Sequence, residues 1–255
     1  TTLDVSTQGD LIAVGTPNHG SSGYTKFYSF SDNDNSWFEL DDKIYGDSEN
    51  LSGKSLSISN DGSKIAITNP AALYENIDGK WKQIGDGFEQ KTTTINGWQP
   101  TKNIDISSDG NFLVIGDTLA ETISTYKWED QKWNILGSQL ISENEEDHFG
   151  SSLSLSHDGK TLAVGSTGNA SNGEYSGSVR IYKFENNTWT QLGADIDDSA
   201  TGLGGIVGNV RDRSGSSVSL SNEGTIVAIG AIGHDGYKGT VRIYQYANNT
   251  WTQLG

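Results

Sequence analysis

The chain has four histidines, His19, His148, His157 and His234, and no cysteine. Without a thiol there can be no Cys nucleophile, disulfide framework, thiolate-bound zinc or iron–sulfur cluster. His157 falls in a turn and the other three in loops. None sits in a Gly-x-Ser-x-Gly elbow or a His-Glu-x-x-His helix, so all four are read as solvated loop residues. No Gly-rich phosphate loop leads into a helix. Two carboxylates, Asp4 and Asp105, stand where sister positions carry Ser. Two acids about 5–10 Å apart are the equipment of a glycoside hydrolase. Strand alternation, however, puts both on a sheet face, where accepting backbone or Ser hydrogen bonds is the expected role. No catalytic residue, metal or cofactor is expected.

Binding and modification have candidates of their own. Trp98, in Ile95-Asn-Gly-Trp-Gln-Pro100, lies in a connection where an exposed ring could stack on a sugar. Four Asn-x-Ser/Thr sequons occur, at Asn50, Asn169, Asn186 and Asn248. Asn186 and Asn248 occupy equivalent Asn-Asn-Thr turns just before a Trp, a good turn sequence in its own right. The long connection 194–214 contains Leu203, Ile206 and Val207, a candidate apolar contact with a partner.

These residues hang on an internal repeat. Its clearest copy reads Ser217-Val-Ser-Leu-Ser-Asn-Glu-Gly224, Ile226-Val-Ala-Ile-Gly230, Thr240-Val-Arg-Ile-Tyr244 and Trp251-Thr-Gln-Leu-Gly255. The preceding copy carries Ser152-Leu-Ser-Leu-Ser-His-Asp-Gly159, Leu162-Ala-Val-Gly165, Ser178-Val-Arg-Ile-Tyr182 and Trp189-Thr-Gln-Leu-Gly193. Weaker copies are marked by Gly9, Gly62 and Gly110, by Tyr28, Tyr74 and Tyr126, and by Trp37, Trp81 and Trp133. The 255 residues thus hold five copies of about 51 residues each. Every copy has four segments of strand character separated by Asp-Gly, Asn-Asn or Gly turns. No helical period of useful length appears.

Four antiparallel strands repeated at this spacing predict an all-β, five-bladed β-propeller of four-stranded blades. It is read as one domain over 1–255, with blades near 1–53, 54–100, 101–150, 151–215 and 216–255. The innermost strands put Ser on one face (Ser57, Ser154, Ser219) and Leu, Ile or Val on the other, so that a small face meets a bulky one between blades. The five repeat tryptophans are read as packing, not as ligand platforms. Most propellers lock their ring with strands from both termini. No such interlock is visible here, and open strand edges invite pairing with another chain.

The stretch Asp147-His-Phe-Gly-Ser-Ser-Leu-Ser-Leu-Ser-His-Asp-Gly-Lys-Thr-Leu-Ala-Val-Gly165 resembles the FG-GAP type of propeller repeat of integrin-like heads, and more closely a microbial secreted or surface variant ending in Trp-x-Gln-Leu-Gly. Phe149 and Gly150 are the family's Phe-Gly pair. The resemblance covers all five copies, strongly in the last two. Calcium-binding members carry Asp-x-Asp-x-Asp-Gly between strands one and two. Here those turns are Ser-Asn-Asp-Gly, Ser-Ser-Asp-Gly, Ser-His-Asp-Gly and Ser-Asn-Glu-Gly, and one acid per turn cannot supply six to eight oxygen ligands.

Composition narrows the partners. Lys plus Arg is 17 against 33 Asp plus Glu, a net charge of −16. That charge repels phosphate backbones and excludes nucleic acid as a partner. No apolar run approaches the ~18–20 residues of a membrane span. Only 33 % of residues are hydrophobic, yet seven Trp, ten Tyr and seven Phe argue against disorder. The resulting expectation is a non-enzymatic extracellular or cell-surface module, structural or adhesive, glycosylated, and partnered by other protein subunits or by its own copies in larger assemblies. The alternatives are a lectin-like glycan binder and a five-bladed glycoside hydrolase.

Overall fold

A computed structural model of the chain describes residues 2–20, 22–46, 52–68, 71–88, 102–197 and 212–255. Sheet I comprises β1 (Thr2–Val5), β2 (Leu11–Thr16), β3 (Tyr24–Ser31) and β4 (Ser36–Tyr45). Sheet II comprises β5 (Leu56–Ile58), β6 (Lys64–Ile67), β7 (Ala72–Ile77) and β8 (Lys80–Ile84). Sheet III holds β9 (Lys102–Ile106), β10 (Phe112–Asp117), β11 (Thr122–Glu129), β12 (Lys132–Ile135) and β13 (Leu140–Ile141). Sheet IV holds β14 (Phe149–Leu155), β15 (Thr161–Ser166), β16 (Ser178–Glu185), β17 (Thr188–Gln191) and β18 (Ile196–Asp197). Sheet V comprises β19 (Ser214–Leu220), β20 (Ile226–Ala231), β21 (Thr240–Ala247) and β22 (Thr250–Leu254). Each sheet is an up-and-down meander in chain order, so the fold is all-β, with five propeller blades. By contacts the chain forms two compact units, Thr1–Leu113 with Tyr126–Asn134 and Val114–Thr125 with Ile135–Gly255.

Two features depart from the sequence reading. Sheets III and IV have a fifth strand, β13 pairing β11 and β18 pairing β16. The cause is length: β16 has eight residues and β17 only four, which leaves the start of β16 without a partner. Unpaired backbone is costly, so the chain returns past Gly193 and bonds Ile196 opposite Val179. In sheet I one ten-residue strand, β4, does this alone through a register shift. The second departure is a four-residue helical turn, His234–Tyr237, with Asp235 and Gly236 left-handed inside it. Among the described residues no helix is long and apolar enough to cross a membrane.

The Ser-against-Leu expectation takes a specific form. A side chain on one innermost strand accepts from the backbone of the next: the Ile58 N–H donates to Asp4 Oδ2 at 2.8 Å, and the Leu220 N–H to Ser154 Oγ at 3.0 Å. Asp105 Oδ1 accepts from the Ser57 hydroxyl at 2.6 Å and from the Ile106 N–H at 2.9 Å. Asp4 and Asp105 are therefore sheet-to-sheet hydrogen-bond acceptors. Burial pushes the Asp4 carboxyl up, against the opposing pull of the Ile58 and Val5 N–H groups.

Glycine makes the closest sheet contact. A methyl group on Gly165, in β15, would collide with the Gly215 carbonyl oxygen of the following sheet, and Gly15 meets Gly53 in the same way. Farther out, the glycines of three Leu-Gly or Ile-Gly ends receive the next sheet's Trp. Gly85 meets Trp128 and Trp133, Gly137 takes Trp189 and Gly193 takes Trp251. The motif's final glycine is thus half of an intersheet contact.

The acids of the first hairpins serve the turns. Asp61 Oδ1 accepts from the Ser59 hydroxyl at 2.7 Å and the Ser63 N–H at 2.9 Å, and Asp109 is held likewise by Ser107 and Asn111. Burial pushes the Asp61 carboxyl up, but the Ser63 N–H, the Ser59 and Ser63 hydroxyls and the Lys64 charge outweigh it and hold it below the usual carboxylate range. Asp109 is lowered for the same kind of reason, burial being outweighed by Ser107, Asn111 and Lys64. A depressed folded-state pKa gives stability that is present above the unfolded value, about pH 4, and lost as pH falls through the folded value. The Asp61→Asn, Asp109→Asn double variant should therefore show a flatter acid limb of urea midpoints against pH than the parent. An unchanged limb would show that these turns carry no such linkage.

Candidate functional site

In the unit formed by Val114–Thr125 and Ile135–Gly255, three loops converge at the entry to sheet IV: 118–121 after β10, 141–148 before β14, and 168–175 after β15. They line two neighbouring cavities. One, of about 530 Å³, is bounded by residues including Leu119, Glu121, Ile141, Glu143 and His148. The other, of about 460 Å³, is bounded by residues including Asp147, Gly168, Glu174 and Tyr175, and both share Asn144, Glu145 and Glu146. Among the described residues neither lining contains Lys or Arg, and Glu121, Glu143, Glu145, Glu146, Asp147 and Glu174 supply carboxylates, of which Glu143 is paired with Arg180.

The corner is held from beneath by Asp147, which is buried. Its backbone carbonyl accepts from the Gly168 N–H at 2.9 Å. Its Oδ2 takes the Asn169 amide at 3.2 Å, the Asn144 amide at 3.3 Å and the Ser142 hydroxyl at 3.4 Å. Sheet V repeats the device: the Gly233 N–H donates to the Asp212 carbonyl, and Asp212 Oδ2 stands 3.4 Å from His234 Nδ1. Arg180, buried on β16, ties the same loop down, its Nη2 donating to Glu143 and its Nε to Asp195, each at 2.9 Å.

Above that base the backbone is strained. Glu121, Glu146, His148 and Tyr175 have φ of 52°, 67°, 53° and 56°. Most other left-handed non-glycine residues here are Asn or Asp in hairpin turns, which tolerate that conformation. Glu and Tyr tolerate it less, and such outliers gather at functional sites. The His148 N–H donates to Glu121 Oε1 at 3.1 Å, and Glu121 Oε2 is buried without a hydrogen-bond partner. The His148 ring is exposed at the cavity rim, 6.2 Å from the Tyr175 ring. An imidazole there offers a ring nitrogen to a group lying in the cavity. Among the described residues no three His, Asp or Glu side chains are gathered as a metal would need.

Of the residues singled out in the sequence, Trp98 and Asn50 lie outside the described residues, as does 198–211 of the long connection with Leu203, Ile206 and Val207. Asn186 and Asn248 are exposed in two-residue turns with both Asn left-handed, the I′ hairpin geometry. Asn169 is 1 % exposed and its amide is committed to Asp147. In a secretory expression host, peptide mapping should therefore find glycan at Asn186 or Asn248 and an unmodified Asn169. Glycan at Asn169 in folded protein would contradict this corner. The site's own signal in the sequence was the acidic run Glu143–Asp147 directly before Phe149-Gly150, with His148 between.

The FG-GAP repeat family matches residues 143–182, the copy that contains this corner. No curated protein matches the chain. Among solved structures, a candidate 6-phosphogluconolactonase from Bacteroides uniformis aligns with a TM-score of 0.67 at 15 % identity, over 99 % of this chain and 70 % of that one. A protein from Lactobacillus plantarum gives 0.67 at 14 %, over 99 % and 69 %. The periplasmic gluconolactonase of Pseudomonas aeruginosa gives 0.65 at 15 %, over 99 % and 70 %. At such identities the likeness shows the fold, that of a β-propeller. It also corrects the functional expectation: two of these three structures are lactonases by name, so the expected non-enzymatic structural or adhesion module does not stand. Loop histidines outside any nucleophile motif, and Asp4 and Asp105 on a sheet face, had argued against catalysis, but opening a lactone needs only a base and a positioned water. The glycosidase alternative gains nothing from Asp4 and Asp105, which are bound between sheets.

Proposed function

We propose that the chain is a hydrolase of the lactonase type, opening the internal ester of a sugar acid at the corner before sheet IV. The carrying observation is His148, exposed at the rim of the larger cavity and fixed through its backbone by Glu121. In this reading the His148 imidazole takes a proton from water as the water oxygen attacks the lactone carbonyl. The ring C–O bond then breaks, and the leaving oxygen receives that proton. Lactone and water yield the open hydroxy acid. The acidic rim disfavours a phosphorylated substrate, which makes an uncharged aldonolactone the preferred class. The name of the Pseudomonas neighbour places that protein in the periplasm. We place this chain outside the cytoplasm too, as a variant of the FG-GAP repeat of microbial secreted proteins. The deciding experiment is acid release from glucono-δ-lactone at constant pH. The reading expects a rate above spontaneous opening that scales with protein, and an unaccelerated rate for this and related lactones would end it.

A further inference from the structure

Two residues of the larger cavity break the repeat around them. Leu119 stands two residues beyond the end of β10, and the same place beyond β15 and β20 holds Gly168 and Gly233. Ile141 pairs Thr122 at the start of β11, where Asp197 pairs Ser178 at the start of β16. The sheets therefore need no apolar side chain at either position. Nor does either fill the core, since Leu119 is 39 % exposed and Ile141 66 %. Both line the cavity that His148 borders. Both are also held in place. The Leu119 and Ala120 N–H groups donate to Asp117 Oδ1 at 3.1 and 3.0 Å. Ile141 is fixed by its strand pairing and by the Ser142 N–H, which donates to the Glu121 carbonyl at 3.0 Å.

The same lining includes Glu145 and Glu146, whose carboxylates accept from hydroxyl donors. The cavity thus offers an occupant both hydroxyl acceptors and an apolar wall. We propose that its substrate is a deoxyaldonolactone, a sugar-acid lactone with a methyl group in place of the terminal hydroxymethyl group, and that Leu119 and Ile141 select it. This rests on the lactonase reading and narrows it: among uncharged aldonolactones, these are the members with an apolar end. The methyl buries apolar surface against the two side chains. A terminal hydroxyl in its place would exchange water for a wall that offers it no partner. The remaining hydroxyls donate to the carboxylates.

The test uses the full chain and matched pairs of lactones in the L-manno and L-galacto configurations, the members of each pair differing by the one terminal hydroxyl. Acid release at constant pH gives kcat/KM. Calorimetric titration with the corresponding lactams, whose ring amide is not opened, gives affinity apart from chemistry. In at least one configuration the deoxy member should lead in both by about 10-fold or more, the scale of one carbon's apolar contact. Leu119→Asn and Ile141→Thr should each bring that ratio toward one, with urea midpoints close to the parent's because both side chains are exposed. Lactams that bind equally or not at all, or a preference that both variants leave unchanged, overturn the proposal. A lactam preference that the variants abolish, in a protein that releases no acid, would instead end the hydrolase reading and keep the selectivity of the cavity.

Discussion

Trp189→Ala is expected to lower the free energy of unfolding by about 3–5 kcal/mol, the range for emptying a large aromatic site in a core. Trp189 is 7 % exposed, packs on Phe184 with ring centres 5.2 Å apart and rests on Gly137. Its indole N–H donates to Thr125 Oγ1 at 2.8 Å, and that hydroxyl donates to the Leu136 carbonyl at 2.6 Å. Removing the ring opens a cavity and strips a buried hydroxyl of its donor, two penalties that add. Trp37→Ala is the control. It has the same place in the repeat, but its ring is half exposed and its aromatic partner is Phe30 at 5.3 Å. A loss of about 1 kcal/mol is expected there, the scale of one aromatic pair. Urea midpoints for the two variants check the contrast. Equal losses would mean that the motif acts through its own hairpin and not through the neighbouring sheet.

His148→Ala is expected to lower kcat/KM for lactone opening by 10²–10⁴-fold, the usual contribution of a positioned general base. Because the side chain is exposed, its loss should leave the urea midpoint close to the parent's, which separates a chemical from a folding defect. His148→Gln keeps polarity and similar bulk but cannot accept a proton in the working range, and should lose as much. A variant that retains the parent's kcat/KM would remove His148 from the chemistry.

The fold was legible because its determinants are local. Leu153-Ser-Leu-Ser156 alternates at the period of a strand, and Asn186-Asn187 and Asp78-Gly79 are turn sequences whose left-handed backbone the structure confirms. Even the role of Asp4 and Asp105 followed from alternation alone. The fifth strands were not legible, because β18 exists only where β17 stops short of β16, a relation between strand lengths and not a property of Ile196-Asp197. Nor does Leu192-Gly193 announce that its glycine receives a tryptophan some sixty residues later. The corner around His148 was the hardest to read. Its character lies in Glu121, His148 and Tyr175 taking left-handed backbone, which neither their residue types nor their spacing encodes. Asn169 shows the converse: a sequon is a string of three residues, while its availability depends on Asp147, twenty-two positions away.

The glycine crossings bear on how the molecule comes apart and goes together. Gly15 with Gly53 and Gly165 with Gly215 each join one sheet to the next sheet in sequence, across about forty and fifty residues. Docking a sheet therefore closes a loop of similar length, and because the entropy of closure grows only with the logarithm of that length, it is nearly the same at these two crossings. Stability then behaves as a nearest-neighbour sum, as in repeat arrays. Folding can start at any sheet pair and spread outward to the sheets beside it.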